Sequence, residues 1–168
     1  MRWLVGILLL ATAATAAESV TGRASVIDGD TLEIHGNRFR LWGIDAPESS
    51  QLCRDDDSKH FRCGAKAANS LADFIGNRPV SCIEVERDRY DRSVAVCTVD
   101  NIDLADWLVR NGLAFDWPRY SKNAYAEAQR QAEQNERGLW TGSFSMPWQF
   151  RACVRKGGRA SKCSDESP

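Results

Sequence analysis

Apolar and polar positions along the chain change period several times, and each change marks out an element. Val20 to Asp28 reads as a strand, and Asp28-Gly29-Asp30 after it is turn chemistry. Leu32 to Ile34 and Phe39 to Trp42 read as short strands joined by the hairpin signal His35-Gly36-Asn37. Ile44 to His60 is polar, and Pro47 with Asp55-Asp56-Asp57 predicts a loop. Over Gly64 to Ile75 the period lengthens. Ala65, Ala68, Leu71, Ala72 and Ile75 recur at helical spacing, and Gly76 supplies a stop.

Val80 to Arg87 and Arg92 to Val99 return to strand patterning on either side of Asp88-Arg89-Tyr90-Asp91. A hairpin closed there sets Val85 against Val94 and Ile83 against Val96, which makes one face apolar. The same register puts Cys82 opposite Cys97 on the other face, so one register satisfies both patterns. Asp103 then caps a helix with Leu104, Trp107 and Leu108 on one side and Gly112 at its end. Tyr125 to Arg137 predicts a last helix, stopped by Gly138. In the tail from Thr141, Trp148 and Phe150 are expected to pack back onto the body, and Asp165 to Pro168 to be loose. Five short strands and three helices in this order predict a five-stranded Greek-key OB-fold barrel.

The first residues read differently. Arg2, the apolar run Trp3 to Leu10 and the small residues Ala14-Thr15-Ala16 form a signal peptide over residues 1–17, too short to span a bilayer. The rival reading is an uncleaved anchor. The expected division is a signal at 1–17, an OB-fold domain at 18–143 and a tail at 144–168. Export is expected to leave the protein secreted or periplasmic, without stable membrane association and as a monomer. It also changes how the six cysteines read. An even number in an oxidising compartment predicts three disulfides. A zinc site is disfavoured, because no CxxC pair is present and neither His35 nor His60 flanks cysteines at ligand spacing. The hairpin register gives Cys82–Cys97. Cys53–Cys63 would close the loop that follows Glu48, and Cys153–Cys163 would tie the tail to itself.

The net charge is −1, and −2 once Arg2 is removed, so no global basic field draws in nucleic acid. Any such site must be local, and arginines do cluster at Arg87, Arg89 and Arg92. Three segments set polar residues beside strand ends. They are Asp28 to Thr31, Arg40 to Glu48, and Asp88 to Arg92. Phosphodiester cleavage needs a hard cation on oxygen ligands, for which Asp30 and Asp45 are candidates. It needs a base for the attacking water, and Glu48 lies one short turn past Asp45. It also needs planar, permanently charged donors for the phosphate, which suits Arg40 and Arg92. Taken singly, each has a plain reading as a turn, a solvated arginine or a loop start. Their combination in this order is far less easily accidental.

The chain resembles the staphylococcal nuclease (thermonuclease) family in an ordered set of stretches between Val20 and Trp140. These are Val26 to Thr31, Phe39 to Glu48, Asp88 to Arg92, Leu108 to Ala114 and Arg137 to Trp140. The resemblance implies an OB barrel with three helices, and Ca²⁺ held by the Asp30 and Asp45 carboxylates and the Ala46 carbonyl. It implies Glu48 as general base, Arg40 and Arg92 on the phosphate, and cleavage of DNA and RNA with little sequence preference to leave 3′-phosphate ends. Two departures stand out. Ala46 replaces the threonine of the best-known members, and the loop between Ser49 and Phe61 is bounded by Cys53 and Cys63. Two rival functions remain at this stage. One is a non-catalytic OB module binding single-stranded nucleic acid or oligosaccharide, and the other is a secreted structural domain stapled by its cysteines.

Overall fold

The computed structural model describes residues 18–164. The expected signal peptide and the last four residues lie outside them. The strand expected from Val20 to Asp28 is two strands, β1 (Ser19–Gly22) and β2 (Ala24–Asp28), separated by Arg23. They serve opposite ends of one sheet. β2 pairs with β3 (Thr31–Ile34), which pairs with β4 (Asn37–Leu41). β1 pairs with β8 (Val80–Arg87), which forms a hairpin with β9 (Ser93–Val99). A parallel pairing of β4 with β9 joins the halves, and the short β10 (Ile102–Asp103) adds to β9.

The ladder therefore runs β1-β8-β9-β4-β3-β2. Its two outer strands are joined by one residue, so the sheet must curl until its ends approach. His35, in the turn after β3, reaches the Thr21 carbonyl of β1 at 3.3 Å. The fold is α+β, as expected, but among the described residues the curled sheet has seven strands rather than the expected five. The two additional strands arise from the split at Arg23 and from β10.

The expected hairpin register holds where Cys82 opposes Cys97 and Ile83 opposes Val96. It fails two pairs further on, after Glu84 opposes Ala95. A bulge at Val85 sets Glu86 opposite Val94. One extra residue shifts the phase of the alternation, so Val94 turns inward with Ala95. The faces are also reversed. Ile83 and Val85 are exposed, while Cys82 and Cys97 are buried with Val80, Ala95 and Val99. This disulfide is a core element. All three expected bridges are present, Cys53–Cys63, Cys82–Cys97 and Cys153–Cys163.

Helix α1 (Cys63–Ile75) lies across β2 and buries Cys63, Ala67, Leu71 and Ile75, one residue per turn. α2 (Leu104–Arg110) starts at Asp103, whose carboxylate accepts from the Ala105 amide at 2.8 Å. α4 (Ala126–Gln134) packs on α2 and is shorter than the Tyr125 to Arg137 span predicted. Three further helices were not expected: α3 (Pro118–Ser121), α5 (Pro147–Arg155) and α6 (Ala160–Ser164). The polar stretch after Ile44 also contains strands. β5 (Ile44–Asp45) pairs with β11 (Phe115–Asp116), and β6 (Leu52–Arg54) with β7 (His60–Arg62).

Two cores result. Leu32, Ile34, Phe39, Leu41, Leu71, Leu104 and Leu108 fill the space between sheet and helices. A second cluster gathers Phe115, Leu139 and the Cys53–Cys63 bridge with Phe61, Trp140, Phe144 and Trp148. Phe150 is buried and Trp148 meets the Phe115 ring, so the tail aromatics do pack back.

Candidate active site

Three turns converge at one end of the sheet. In the first, Asp28 accepts from the Asp30 amide at 3.1 Å, which fixes the turn that aims Asp30 inward. Gly29 is required there, because a Cβ would sit 2.7 Å from that of Ala46. The second turn follows β4, where Asp45 on β5 is locked by pairing with Phe115. The Ala46 amide then donates to Asp30 at 3.2 Å, joining the two turns. Glu48 comes next, with α1 packed on its backbone. A Cβ on Gly64 would lie 2.1 Å from the Glu48 carbonyl oxygen.

Two arginines link the three carboxylates into one chain. Arg40, on β4, donates to Asp30 Oδ2 at 2.7 Å and to Asp45 Oδ1 at 3.0 Å. Arg151, on α5, donates to Asp45 Oδ2 at 2.7 Å, to Asp45 Oδ1 at 2.9 Å and to Glu48 Oε1 at 2.8 Å. Asp30 and Asp45 are buried. Burial pushes the Asp30 carboxyl up to about 7, and the neighbouring Asp28 and Asp45 charges add to the rise against the pull of Arg40. Burial works against the charge on Arg151, but hydrogen bonds and attraction from Asp45 and Glu48 outweigh it and raise the guanidinium above its ordinary value.

Asp30, Arg40, Glu48 and Arg151 line a cleft of about 700 Å³, with Asp45 fully buried behind them. Arg92 lies on its hairpin wall. It pairs with Asp88 of its own turn at 2.6 Å. Asp88 is held below its usual range because Arg92 hydrogen bonds outweigh the opposing effect of burial. The pairing of β4 with β9 sets Ser93 beside Phe39, which brings Arg92 to the sheet end that carries Arg40. Seven arginines and five carboxylates line the cleft, so its field is locally positive on a chain that is acidic overall. Tyr90 is 64% exposed on one wall with Arg89 and Arg92 against its ring, and Tyr120 is 42% exposed near Arg119.

Of the residues singled out from sequence, the fold thus brings Asp30, Arg40, Asp45 and Ala46 together, joins Glu48 to Asp45 through Arg151, and sets Arg92 on the wall of the same cleft. Sequence reasoning missed Arg151, which stands 106 positions after Asp45. The only signal near it was the pair of tail aromatics on either side of Gln149. It also missed Gln51, a fully buried side chain that accepts from the Glu48 amide at 3.2 Å and donates to the Ser145 carbonyl at 2.6 Å.

Among the described residues no three or more His, Cys, Asp or Glu side chains gather closely enough to hold a metal ion by themselves. The donor chemistry still suits a hard cation. Asp30 and Asp45 are oxygen donors, and burial, which raises the Asp30 carboxyl, leaves its charge short of water that a bound cation would replace. Two carboxylates and one carbonyl would leave several of the six to eight positions of a calcium ion to water or substrate.

A protein-family model described as "Staphylococcal nuclease homologue" matches residues 38–142. The chain is 40% identical over 157 residues to the "Succinoglycan biosynthesis protein ExoI" of Rhizobium meliloti (strain 1021), covering 92% of this chain and 80% of that protein. It is 31% identical over 158 residues to an "Uncharacterized endonuclease" of Haemophilus influenzae, covering 88% and 83% of the two chains. It is 30% identical over 145 residues to the "Micrococcal nuclease" of Shigella flexneri, covering 75% and 76%. With more than half of its length matched and two nuclease-named relatives at this identity, the chain belongs to the staphylococcal nuclease homologue family.

Proposed function

We propose that this protein is a Ca²⁺-dependent nuclease that hydrolyses phosphodiester bonds in DNA and RNA with low sequence specificity and leaves 3′-phosphate ends. The observation that carries the reading is the unbroken chain Asp30–Arg40–Asp45–Arg151–Glu48 along an arginine-lined cleft. Glu48 accepts the proton of the attacking water. Its side chain is 40% exposed, so water can reach it. Arg40 and Arg92 hold the phosphate oxygens from two sides, and both are planar donors that stay charged. Asp30, Asp45 and the Ala46 carbonyl would hold a calcium ion, which when bound would neutralise phosphate charge. Tyr90 and Tyr120 give bases a surface to stack on, which favours unpaired strands.

The curled sheet is read as an OB-type barrel, and the three disulfides support a secreted or periplasmic location for a monomer. Among the described residues no helix is long and apolar enough to cross a membrane. A second reading rests on the relative named for succinoglycan biosynthesis. On it, the arginine-lined cleft would bind an oligosaccharide, an anionic one by charge, without cutting nucleic acid.

The test is digestion of single-stranded DNA, duplex DNA, RNA and an acidic polysaccharide by the purified protein, with calcium or with a chelator. The proposal expects calcium-dependent cleavage of the nucleic acids, fastest on single strands, with termini that a 3′-phosphatase can process. Intact nucleic acid alongside bound polysaccharide would establish the second reading instead.

A further inference from the structure

We propose that Arg151 is a positioning residue of this site: from the C-terminal helix α5 it holds the Glu48 carboxylate against Asp45. The inference rests on the reading of Glu48 as the base. It adds that residues after the family-matched segment, which ends at 142, complete the site.

Glu48 and Asp45 carry like charges, and a partly exposed glutamate beside a buried aspartate would swing away into water. The Arg151 fork removes that freedom. Nη1 donates to Glu48 Oε1 at 2.8 Å and to Asp45 Oδ1 at 2.9 Å, while Nη2 donates to Asp45 Oδ2 at 2.7 Å. Three bonds from one planar group fix the two carboxylates relative to each other. A lysine ammonium supplies the charge but not the plane.

The helix that carries Arg151 is itself anchored beside Glu48. Phe150 is buried, and the Arg151 guanidinium sits 5.8 Å from the Trp117 ring, which stacks on Trp148. Gln51 bonds to the Glu48 amide with one end and to the Ser145 carbonyl, just before α5, with the other. The Cys153–Cys163 bridge ties α5 to α6, and Ser164 of α6 accepts from the Leu52 amide at 2.9 Å. The segment after Glu48 and the C-terminal segment therefore hold each other at two points, with Trp117 packed on α5 as well. This is more restraint than an incidental surface ion pair needs, and it is spent around the one carboxylate that must point at water.

The test is steady-state kinetics of the full mature chain on a labelled single-stranded oligodeoxynucleotide in saturating calcium. Wild type is compared with Arg151→Gln, Arg151→Lys, Glu48→Gln and the double variant Arg151→Gln/Glu48→Gln, with thermal melting of each. Misplacing a reacting group by about an ångström costs up to ~10²-fold in rate. Arg151→Gln should therefore lower kcat about 10–100-fold while KM changes less than about twofold, and Arg151→Lys should restore only part of the loss. In the Glu48→Gln background the same change should cost less than about twofold, because the group it positions is already disabled. Melting temperatures should stay close to wild type for Arg151→Lys, which keeps the charge, even where Arg151→Gln lowers them. Wild-type kcat in Arg151→Gln, with Glu48→Gln slow, would overturn the proposal and leave the base reading intact. An equal loss in both backgrounds would overturn it too, since Arg151 would then act without Glu48. Full turnover in Glu48→Gln itself would instead remove the base reading.

Discussion

Asp45 is gripped from two sides, and the two grips differ in origin. Arg40 reaches it from the sheet, five positions before Asp45, with its side chain 17% exposed. Arg151 reaches it from a helix more than a hundred residues later, 30% exposed and tied down by a disulfide of its own. The first grip is set by strand pairing that the main core stabilises, and the second by a separate cluster around Phe115. One carboxylate thus reports on two independently built halves of the molecule, and each variant below weights those halves differently.

The largest effect should come from removing what they share. Asp45→Ala leaves Arg40 and Arg151 facing each other without their common partner. Breaking a buried ion pair from one side costs about 3–5 kcal/mol, and urea denaturation should show a loss of that order alongside weaker calcium binding by calorimetry. A loss below about 1 kcal/mol would mean the two arginines re-pair elsewhere, against the idea of one continuous chain.

The disulfides separate the halves next. Cys82–Cys97 sits in the main core, so Cys82→Ala/Cys97→Ala should lower global stability by roughly 2–4 kcal/mol. Cys153→Ala/Cys163→Ala should instead loosen α5 and α6, with a smaller shift in denaturation midpoint and a larger fractional loss of turnover. If both pairs lower stability and activity in the same proportion, the two regions do not act separately.

Arg40→Lys and Arg92→Lys sharpen the comparison within the body. A charged hydrogen bond contributes roughly 1.5–3 kcal/mol, so losing the fork at Arg40 should lower turnover about 10–100-fold. Arg92 is 47% exposed and, among the described residues, pairs only with Asp88 of its own turn, so its lysine variant should lose less. Full turnover in both variants would count against their phosphate roles.

A pH dependence reports on Asp30, the partner of Arg40 on the sheet side. In chelator, the Asp30 carboxyl of the folded protein titrates at about 7, above its usual 3.8. The folded state therefore holds a proton that the unfolded state has released, and stability from this group falls as pH rises between those values. Denaturation at pH 4.5 and 7.5 should show the fall, and Asp30→Asn should flatten it. A variant with the wild-type pH slope would assign the effect to other groups.

What was legible in the sequence follows the same division. Asp30, Arg40, Asp45 and Glu48 sit within a few positions of strand ends, so local patterning placed them. The Cys82–Cys97 pair followed from hairpin register, because strand pairing is a local rule. The inward and outward faces of that hairpin were not legible, since the bulge at Val85 depends on how the sheet curls rather than on the alternation itself. The split at Arg23 was hidden for the same reason: nothing in Val20 to Asp28 says that its halves join opposite sheet ends. Arg151 lay furthest out of reach. Its partners are chosen by tertiary docking of α5, and an arginine in a helix ordinarily points to water.

The central claim is that Glu48 takes a proton from water in a phosphodiester cleavage, and turnover of Glu48→Gln on single-stranded DNA in calcium tests it most directly. General-base removal costs ~10²–10⁴-fold, so the account predicts a loss in that range with calcium affinity and melting temperature close to wild type. Turnover equal to wild type, in a folded variant that still binds calcium, would contradict it.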